Sequence, residues 1–208
     1  LKQGVIEPSW NVPGSIGCWR GCTLDRAVSN FESFKNHVSV LFWSLGNESY
    51  AGDILVEMNR YYKEKDPDRL VHYEGVAENR PYEDLISDME SQMYAPPEKI
   101  KEYLENNPKK PFILCEYMHD MGNSLGGMES YIRLLDQYED YQGGFIWDYI
   151  DQALFVKDEV TGRDVLRYGG DFDDRPSDYE FSGNGILFAD RTEKPAMQEV
   201  RHYYGLRR

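Results

Sequence analysis

The chain has 208 residues, with 37 acidic against 23 basic residues and a formal net charge of −14 at pH 7. That length is enough for one core of substantial size or for two small domains. The acidic balance argues against a nucleic-acid binder and against docking on anionic lipid, because both partners require clustered Lys and Arg. No apolar run approaches the roughly 18 residues that a membrane helix needs, and the 16 Tyr, 9 Phe and 4 Trp residues argue against a disordered acidic tail.

The first residues and the cysteines indicate a piece of a longer chain and a reducing compartment. The first ten residues lack a charged segment followed by an apolar stretch, so no signal peptide is visible, and the start at Leu1 indicates a cut within a longer chain. Cys18, Cys22 and Cys115 lack the second cysteine pair or the nearby histidine that a zinc site would need. We therefore expect reduced thiols in a cytoplasmic protein.

Short apolar runs alternate with amphipathic helical patterns along most of the chain. In chain order the patterns predict a helix over 24–34, a buried strand over 39–47, a helix over 53–65, a strand over 70–75, a short run that ends at Tyr94, a helix over 98–105, a strand over 111–117, a helix over 127–138 and a strand over 143–150. Strands and helices that alternate in this way predict right-handed βαβ crossovers and a parallel sheet.

The number of strands predicts an incomplete α/β barrel. A closed (β/α)8 TIM barrel takes about 250 residues, and the chain offers only about five barrel strands. We therefore expect residues 1–208 to form an N-terminally truncated TIM barrel with roughly strands 4–8 present. Residues 160–200, rich in Gly and Asp, are predicted to be an elaborated loop region on the rim of the barrel. Residues 200–208 are expected to lead out toward a missing C-terminal domain.

Two glutamates follow the two most apolar predicted strands. Glu48 comes after FWSLGN, and Glu116 comes directly after FILC. Catalytic groups of parallel barrels stand at the carboxyl ends of strands, which all open onto one face. The apolar neighbours predict a semi-apolar setting that can raise a carboxyl pKa. Two such groups on one rim suit glycoside hydrolysis, and the alternative from spacing alone is an internal ion pair for each glutamate.

Amides, an imidazole and aromatic side chains lie near the same strand ends. Asn47 precedes Glu48, Tyr94 ends the third short run, His119 follows Glu116, and Trp147 ends a later strand. Aromatic faces suit the C–H face of a sugar ring, whereas amides and imidazoles suit its hydroxyls. Taken singly, each of these residues has an alternative role in packing or loop capping.

Four segments together resemble one known family. They are SVLFWSLGNES (39–49), FILCEYMHDMGNSLGG (112–127), GGFIWDYIDQAL (143–154) and YGGDFDDRPSDYEFSGNGILFADR (168–191). These segments closely resemble the β-galactosidases of glycoside hydrolase family 2, and in particular the large subunit of its heterodimeric members. The resemblance runs from about Glu7 to the end of the chain.

The resemblance implies a role for each matching residue in the retaining hydrolysis of terminal β-galactose from substrates such as lactose. Glu48 corresponds to the general acid/base and Glu116 to the nucleophile. The implied substrate-binding residues are Asn47, Tyr94, His119, Trp147 and Asn184. Glu48 corresponds to a ligand of a Mg²⁺ site, and Phe181 and Asn184 to ligands of a Na⁺ site. Both sites are expected to be incomplete, since their other family ligands would precede Leu1.

The partners that the resemblance implies are a β-galactoside, the missing N-terminal part of the same enzyme and a small subunit. We expect the 208 residues alone to have open sheet edges and little or no β-galactosidase activity. Two alternatives are kept. One is a sister specificity, such as β-glucuronidase or β-mannosidase, and the other is a non-catalytic sugar-binding or assembly fragment.

Overall fold

The computed structural model describes residues 11–205, in which helices and short strands alternate. The helices are α1 (Gly17–Phe34), α2 (Asp53–Lys65), α3 (Glu83–Ile86), α4 (Pro97–Glu105), α5 (Met128–Gln137) and α6 (Met197–Gly205). The strands are β1 (Phe42–Ser44), β2 (Leu70–His72), β3 (Glu90–Met93), β4 (Phe112–Tyr117), β5 (Tyr141–Ile146), β6 (Leu154–Lys157) and β7 (Asp164–Arg167). Short 3-10 helices lie at Glu74–Glu78, Arg80–Tyr82 and Tyr179–Ser182.

The strands form three small sheets. β1 and β2 are parallel, with Trp43 opposite Val71, whereas β6 and β7 form an antiparallel hairpin. The third sheet has the order β3-β4-β5. The amide of Glu90 donates to the carbonyl of Pro111 at 2.9 Å, which aligns the beginnings of β3 and β4. The predicted order of strands and helices is therefore present, and residues 11–205 form no closed barrel.

Several strands are shorter than the apolar runs that predict them. The run over 39–47 yields a strand of only three residues, Phe42–Ser44, and the run over 70–75 yields Leu70–His72. Beyond the first strand the chain bends at Asn47 and Glu48, and beyond the second a 3-10 helix begins at Glu74. Conversely, α1 begins at Gly17, seven residues before the helix predicted to start at residue 24.

By its contacts the chain divides into two compact units. Within the described residues, the first contains 11–93 together with Tyr103–Cys115, and the second contains Tyr94–Glu102 and 116–205.

The core of the first unit is aromatic. Trp43 of β1 stacks on Tyr62 of α2 at 5.3 Å between ring centroids, and Phe31 of α1 contacts Trp43 at 5.5 Å. The indole nitrogen of Trp43 donates to Asp66 at 3.0 Å, and Arg69 pairs with the same carboxylate at 2.8 Å. Aromatic side chains of α1 and α2 thus pack on Trp43 of β1. The buried indole nitrogen of Trp43 has a hydrogen-bond partner, as a stable core requires.

The second unit is built around α5 and α6. Its buried apolar cluster consists of Met128, Ile186, Leu187 and Val200. Residues 182–187 pair with residues 148–152: the amide of Asp148 donates to the carbonyl of Asn184 at 2.8 Å, and the amide of Ile186 donates back to Asp148 at 3.0 Å. A Cβ at Gly185 would lie 2.2 Å from the backbone nitrogen of Asp151, so only glycine allows this close approach.

No helix in the described ranges is both long and apolar enough to cross a lipid bilayer.

Candidate active site

In the first unit, Glu48 lies in a tight turn after β1. This turn, residues 46–49, is called the Glu48 turn below. Glu48 has φ +43°, a left-handed conformation that is uncommon for a residue with a side chain. Asn47 and Glu48 are both exposed, so the semi-apolar setting predicted for Glu48 is not what the structure shows. The reason is that the turn carries both side chains past the end of β1, whose apolar residue Trp43 stays buried.

The end of β2 supports the Glu48 turn. The amide of Glu48 donates to Oε1 of Glu74 at 2.8 Å. The amide of Ser49 donates to the hydroxyl of Tyr73 at 3.1 Å, and the same hydroxyl donates to the carbonyl of Ser49. Burial raises the pKa of Tyr73 to about 12, which keeps this hydroxyl protonated and able to donate.

A buried histidine links the strands beneath the Glu48 turn. His72 of β2 is hydrogen-bonded through Nδ1 to Ser44 of β1 at 2.9 Å and through Nε2 to Ser91 of β3 at 2.8 Å. Burial lowers the pKa of His72 to about 4, so the ring is neutral at physiological pH. These side chains connect β2 to β3 through hydrogen bonds to the imidazole ring.

In the second unit, Glu116 and Tyr94 are in direct contact. The hydroxyl of Tyr94 donates to Oε2 of Glu116 at 2.7 Å, and the amide of Tyr94 donates to the carbonyl of Glu116 at 2.8 Å. Tyr94 takes a left-handed φ of +52° directly after β3. A half-buried carboxylate that accepts a hydrogen bond from a phenol is held in one orientation, which suits a nucleophile.

The imidazole and a further aromatic residue lie beside this pair. The ring of His119 is 5.8 Å from that of Tyr94 and 6.2 Å from that of Phe181. His119 is half-buried, and Phe181 is exposed. The second unit therefore brings together four of the residues predicted for the site, namely Tyr94, Glu116, His119 and Phe181.

Trp147 is positioned by its backbone. Its amide donates to the carbonyl of Tyr117 at 2.9 Å, and its carbonyl accepts from the amide of Asp120 at 2.9 Å. These bonds tie Trp147 to the residues that flank Met118 and His119, at the end of β4. The indole is 36% exposed, so part of its face is open to a ligand. Burial raises the pKa of the neighbouring Asp120 carboxyl.

Asn184 is buried, and its side chain is aligned by a neighbour. Its Nδ2 donates to the carbonyl of Phe181. Among the described residues, Oδ1 of Asn184 has no hydrogen-bond partner. A buried oxygen without a donor is the kind of ligand that a hard cation takes, so Asn184 fits the role predicted for it at the Na⁺ site.

The residues described do not assemble the magnesium site. No group of three or more His, Cys, Asp or Glu side chains within 11–205 is placed to hold a metal ion. Glu48 is the one member of that site that the sequence predicts in this chain. The reaction steps that we propose therefore do not involve Mg²⁺.

A half-buried ion pair fastens the segment that carries Asn184. Nζ of Lys194 lies 2.8 Å from Oδ1 of Asp151, and it also donates to the carbonyl of Gly183 at 3.3 Å. The same carboxylate oxygen of Asp151 accepts from the amide of Gly185 at 2.8 Å. The side chains of Lys194 and Asp151 are 12% and 14% exposed. The pair thus binds both backbone neighbours of Asn184.

Sequence reasoning missed the residues that support the site. Neither Glu74 and Tyr73 nor the pair of Asp151 and Lys194 is among the predicted site residues. For Glu74 the signal depends on the strand boundary: Glu74 lies just past the observed end of β2 at His72, whereas the predicted strand over 70–75 contains it. For Lys194 no local signal exists, since its partner lies 43 residues away.

The family follows from comparison with known proteins. The chain matches the model of the TIM barrel domain of glycosyl hydrolases family 2 over residues 1–207, and it belongs to that family. The predicted family and the predicted fold class, a TIM-barrel domain present in part, are therefore confirmed.

Similar proteins give the same assignment. The chain is 72% identical over 204 residues to the β-galactosidase large subunit of Latilactobacillus sakei, covering 98% of this chain and 33% of that protein. It is 69% identical over 205 residues to the β-galactosidase large subunit of Lactobacillus helveticus, covering 99% of this chain and 33% of that protein. The chain thus spans about a third of the length of these relatives.

A solved structure has the same fold. The β-glucuronidase of Ruminococcus gnavus superposes with a TM-score of 0.65 over 97% of this chain and 37% of that chain, at 18% sequence identity. At this level of identity the likeness concerns the fold alone.

Proposed function

We propose that the full-length protein containing this chain is a retaining β-galactosidase that removes terminal β-D-galactose from β-galactosides such as lactose. The observation that carries the proposal is the 72% identity to a β-galactosidase large subunit over 98% of this chain. The hydrogen bond from Tyr94 to Glu116, at 2.7 Å, supports the choice of nucleophile.

In the first step of the proposed reaction, Glu116 attacks the anomeric carbon. Its carboxylate forms a covalent bond to galactose as the bond to the leaving oxygen breaks, and the proton of Glu48 passes to that oxygen. Tyr94 keeps the carboxylate of Glu116 oriented and stabilises its negative charge before the attack. A retaining mechanism requires the two carboxyl groups to lie about 5–5.5 Å apart.

In the second step, water or an acceptor sugar replaces Glu116. Glu48, now ionised, takes a proton from the incoming hydroxyl, whose oxygen bonds to the anomeric carbon from the face opposite Glu116. The bond between galactose and Glu116 breaks, and the carboxylate is regenerated. Two inversions at one carbon give net retention of the β configuration.

The remaining residues are proposed to bind the sugar. Trp147 offers an indole face to the ring, and His119 and Asn47 offer polar groups to hydroxyls, while Asn184 would serve the 6-hydroxyl as a ligand of Na⁺. Na⁺ would be held by Oδ1 of Asn184 and the carbonyl of Phe181, and it would supply positive charge to the sugar oxygen. Oδ1 of Asn184, which is buried without a donor, supports this assignment.

The proposed partners come from the relatives. Two of them are named as large subunits, so we propose that the full-length protein works with a small subunit. We also propose that the 208-residue chain alone has little or no activity, because its described residues form separate short sheets rather than a closed barrel.

Azide trapping in the full-length protein tests the proposed roles. In Glu48→Ala, azide needs no general base and attacks the galactosyl-enzyme, so the expected product is β-galactosyl azide. In Glu116→Ala, azide replaces the nucleophile and attacks the substrate directly, so the expected product is the α anomer. NMR of the products separates the two anomers. Exchange of these outcomes, or identical products from both variants, would contradict the assignment.

A substrate panel tests the specificity. Nitrophenyl β-galactoside should be hydrolysed with a higher kcat/KM than the corresponding glucuronide or mannoside. Preference for a glucuronide or mannoside would replace the proposal with a sister specificity. Galactose binding without turnover, unaffected by Glu116→Gln, would support a non-catalytic role.

A further inference from the structure

The carboxylate of Glu74 is buried in the first unit, where it accepts a hydrogen bond from the backbone of the Glu48 turn. Glu74 is only 9% exposed, and its Oε1 accepts the amide proton of Glu48 at 2.8 Å. A buried carboxylate is costly unless hydrogen bonds or charges compensate it. The amide that compensates the buried carboxylate of Glu74 belongs to Glu48, the residue that we propose as acid/base.

The amide that Glu74 accepts belongs to a residue in a sparsely populated conformation. Glu48 has φ +43° although it carries a side chain, and such residues keep that conformation only when their surroundings hold them. A charge-assisted hydrogen bond from an amide to a carboxylate is stronger than one to a neutral oxygen. Glu74 thus holds the backbone at the point from which the side chain of Glu48 departs.

Two neighbours of Glu74 hold the residue that follows. Tyr73, fully buried, exchanges hydrogen bonds with Ser49 through its hydroxyl. Gly75 leaves the space for this contact, because a Cβ there would lie 2.7 Å from the hydroxyl of Tyr73 and 2.8 Å from the carbonyl of Ser49. Three consecutive residues after β2 therefore serve the Glu48 turn.

We propose that Glu74 is a positioning residue that aims the carboxyl of Glu48 at the leaving-group oxygen. The proposal rests on the role of Glu48 as acid/base. Glu74 acts as a hydrogen-bond acceptor, so glutamine, which keeps a carbonyl oxygen at the same place, should replace it in part, whereas an apolar residue of similar length should not.

The test uses leaving groups that differ in their need for a proton. Dinitrophenolate departs without protonation, whereas an alkoxide requires a general acid. In the full-length protein, Glu74→Met should lower kcat/KM for methyl β-galactoside by at least about tenfold, and kcat/KM for dinitrophenyl β-galactoside should stay within about twofold. Glu74→Gln, whose neutral oxygen accepts the same amide proton more weakly, should recover part of the kcat/KM that Glu74→Met loses for the methyl galactoside.

A matched control removes a buried carboxylate elsewhere in the same unit. Glu90 is 4% exposed, and its carboxylate pairs with Arg80 at 2.6 Å rather than with the Glu48 turn. Glu90→Met should therefore leave the ratio of the two kcat/KM values unchanged, even where it lowers the yield of folded protein. Glu48→Ala serves as the reference for complete loss of the acid.

The possible outcomes separate the two proposals. If Glu48→Ala lowers both kcat/KM values equally, Glu48 is not the acid and the proposed function fails. The positioning role of Glu74 is refuted if Glu48→Ala lowers kcat/KM only for the methyl galactoside while Glu74→Met changes neither kcat/KM value. It is also refuted if Glu74→Met lowers both kcat/KM values equally. If Glu74→Gln loses as much as Glu74→Met, the acceptor role is likewise refuted.

Discussion

The half-buried pair of Lys194 and Asp151 gives the sharpest test of how the second unit is held together. Lys194→Met keeps the length of the side chain and removes the ammonium group. Asp151 then keeps the amide of Gly185 as a donor but loses the cation at 2.8 Å. The segment that should respond is 182–187, since both Gly183 and Gly185 are bonded to the pair.

The magnitude follows from burial. Both side chains are less than 15% exposed, at 12% for Lys194 and 14% for Asp151. Removal of the ammonium group leaves the half-buried carboxylate of Asp151 with the amide of Gly185 as a donor, so the cost lies below that of a fully buried pair, at about 2–3 kcal/mol. At about 1.4 kcal/mol per factor of ten, this corresponds to a shift of roughly 30- to 140-fold in the local opening equilibrium.

Hydrogen–deuterium exchange of the full-length protein measures that shift. The amides of Gly185 and Ile186, which are bonded to Asp151 and Asp148, should exchange faster in Lys194→Met by this factor. The double variant that combines Lys194→Met with Asp151→Asn removes both charges, so its loss of protection should be smaller than the sum of the two single losses. Arg201→Ala breaks only an exposed pair with Glu193 and should change protection by less than about tenfold.

Two results would refute this reasoning. One is protection of the 182–187 amides in Lys194→Met that equals that of the wild type. The other is additivity in the double variant, which would mean that Lys194 and Asp151 do not depend on each other.

Three further predictions concern single residues. Tyr94→Phe removes a hydrogen bond to a charged group and should lower kcat/KM for nitrophenyl galactoside by roughly 10- to 100-fold. Burial lowers the pKa of His72 in the folded protein to about 4, against an ordinary value of 6.5, so between these pH values only the unfolded chain binds the extra proton. The free energy of unfolding should therefore fall by about 3 kcal/mol as pH drops from 6.5 to 4. In His72→Gln, urea titrations at several pH values should show a weaker dependence of stability on pH. Gly185→Ala places a Cβ against the backbone of Asp151 and should destabilise the second unit by about 1–3 kcal/mol, measured as faster amide exchange in 182–187.

The order of elements is the part of the fold that the sequence predicts best. Strand β4 is observed at Phe112–Tyr117 and predicted over 111–117, because its apolar residues are buried almost without interruption. The run over 39–47 is similarly apolar but yields only three strand residues, and Leu41 directly before them is 76% exposed. An apolar run indicates a tendency to be buried, and it does not by itself determine where hydrogen bonding between strands stops.

Helix α1 shows the limit of local helix signals. Its first turns contain Gly17 and Gly21, and its N-cap Ile16 provides no side-chain hydrogen bond. Neither feature marks a helix start, so periodicity predicted the helix only from residue 24. The early turns are held by contacts distant in sequence, such as the ion pair of Arg20 with Glu57 of α2 at 2.6 Å.

Accurate strand boundaries also decide which site residues the sequence predicts. Those predicted from the sequence follow strand ends: Glu48 after β1, Tyr94 after β3, Glu116 within the last residues of β4 and Trp147 after β5. Glu74 has the same position after β2, yet the predicted strand over 70–75 placed it inside the strand, where a carboxylate carries no special meaning. The observed strand ends at His72, and this shift makes Glu74 a strand-end carboxylate. An error of a few residues in a strand boundary, which is the least reliable part of such a prediction, is therefore enough to hide a residue that contacts the proposed acid/base directly.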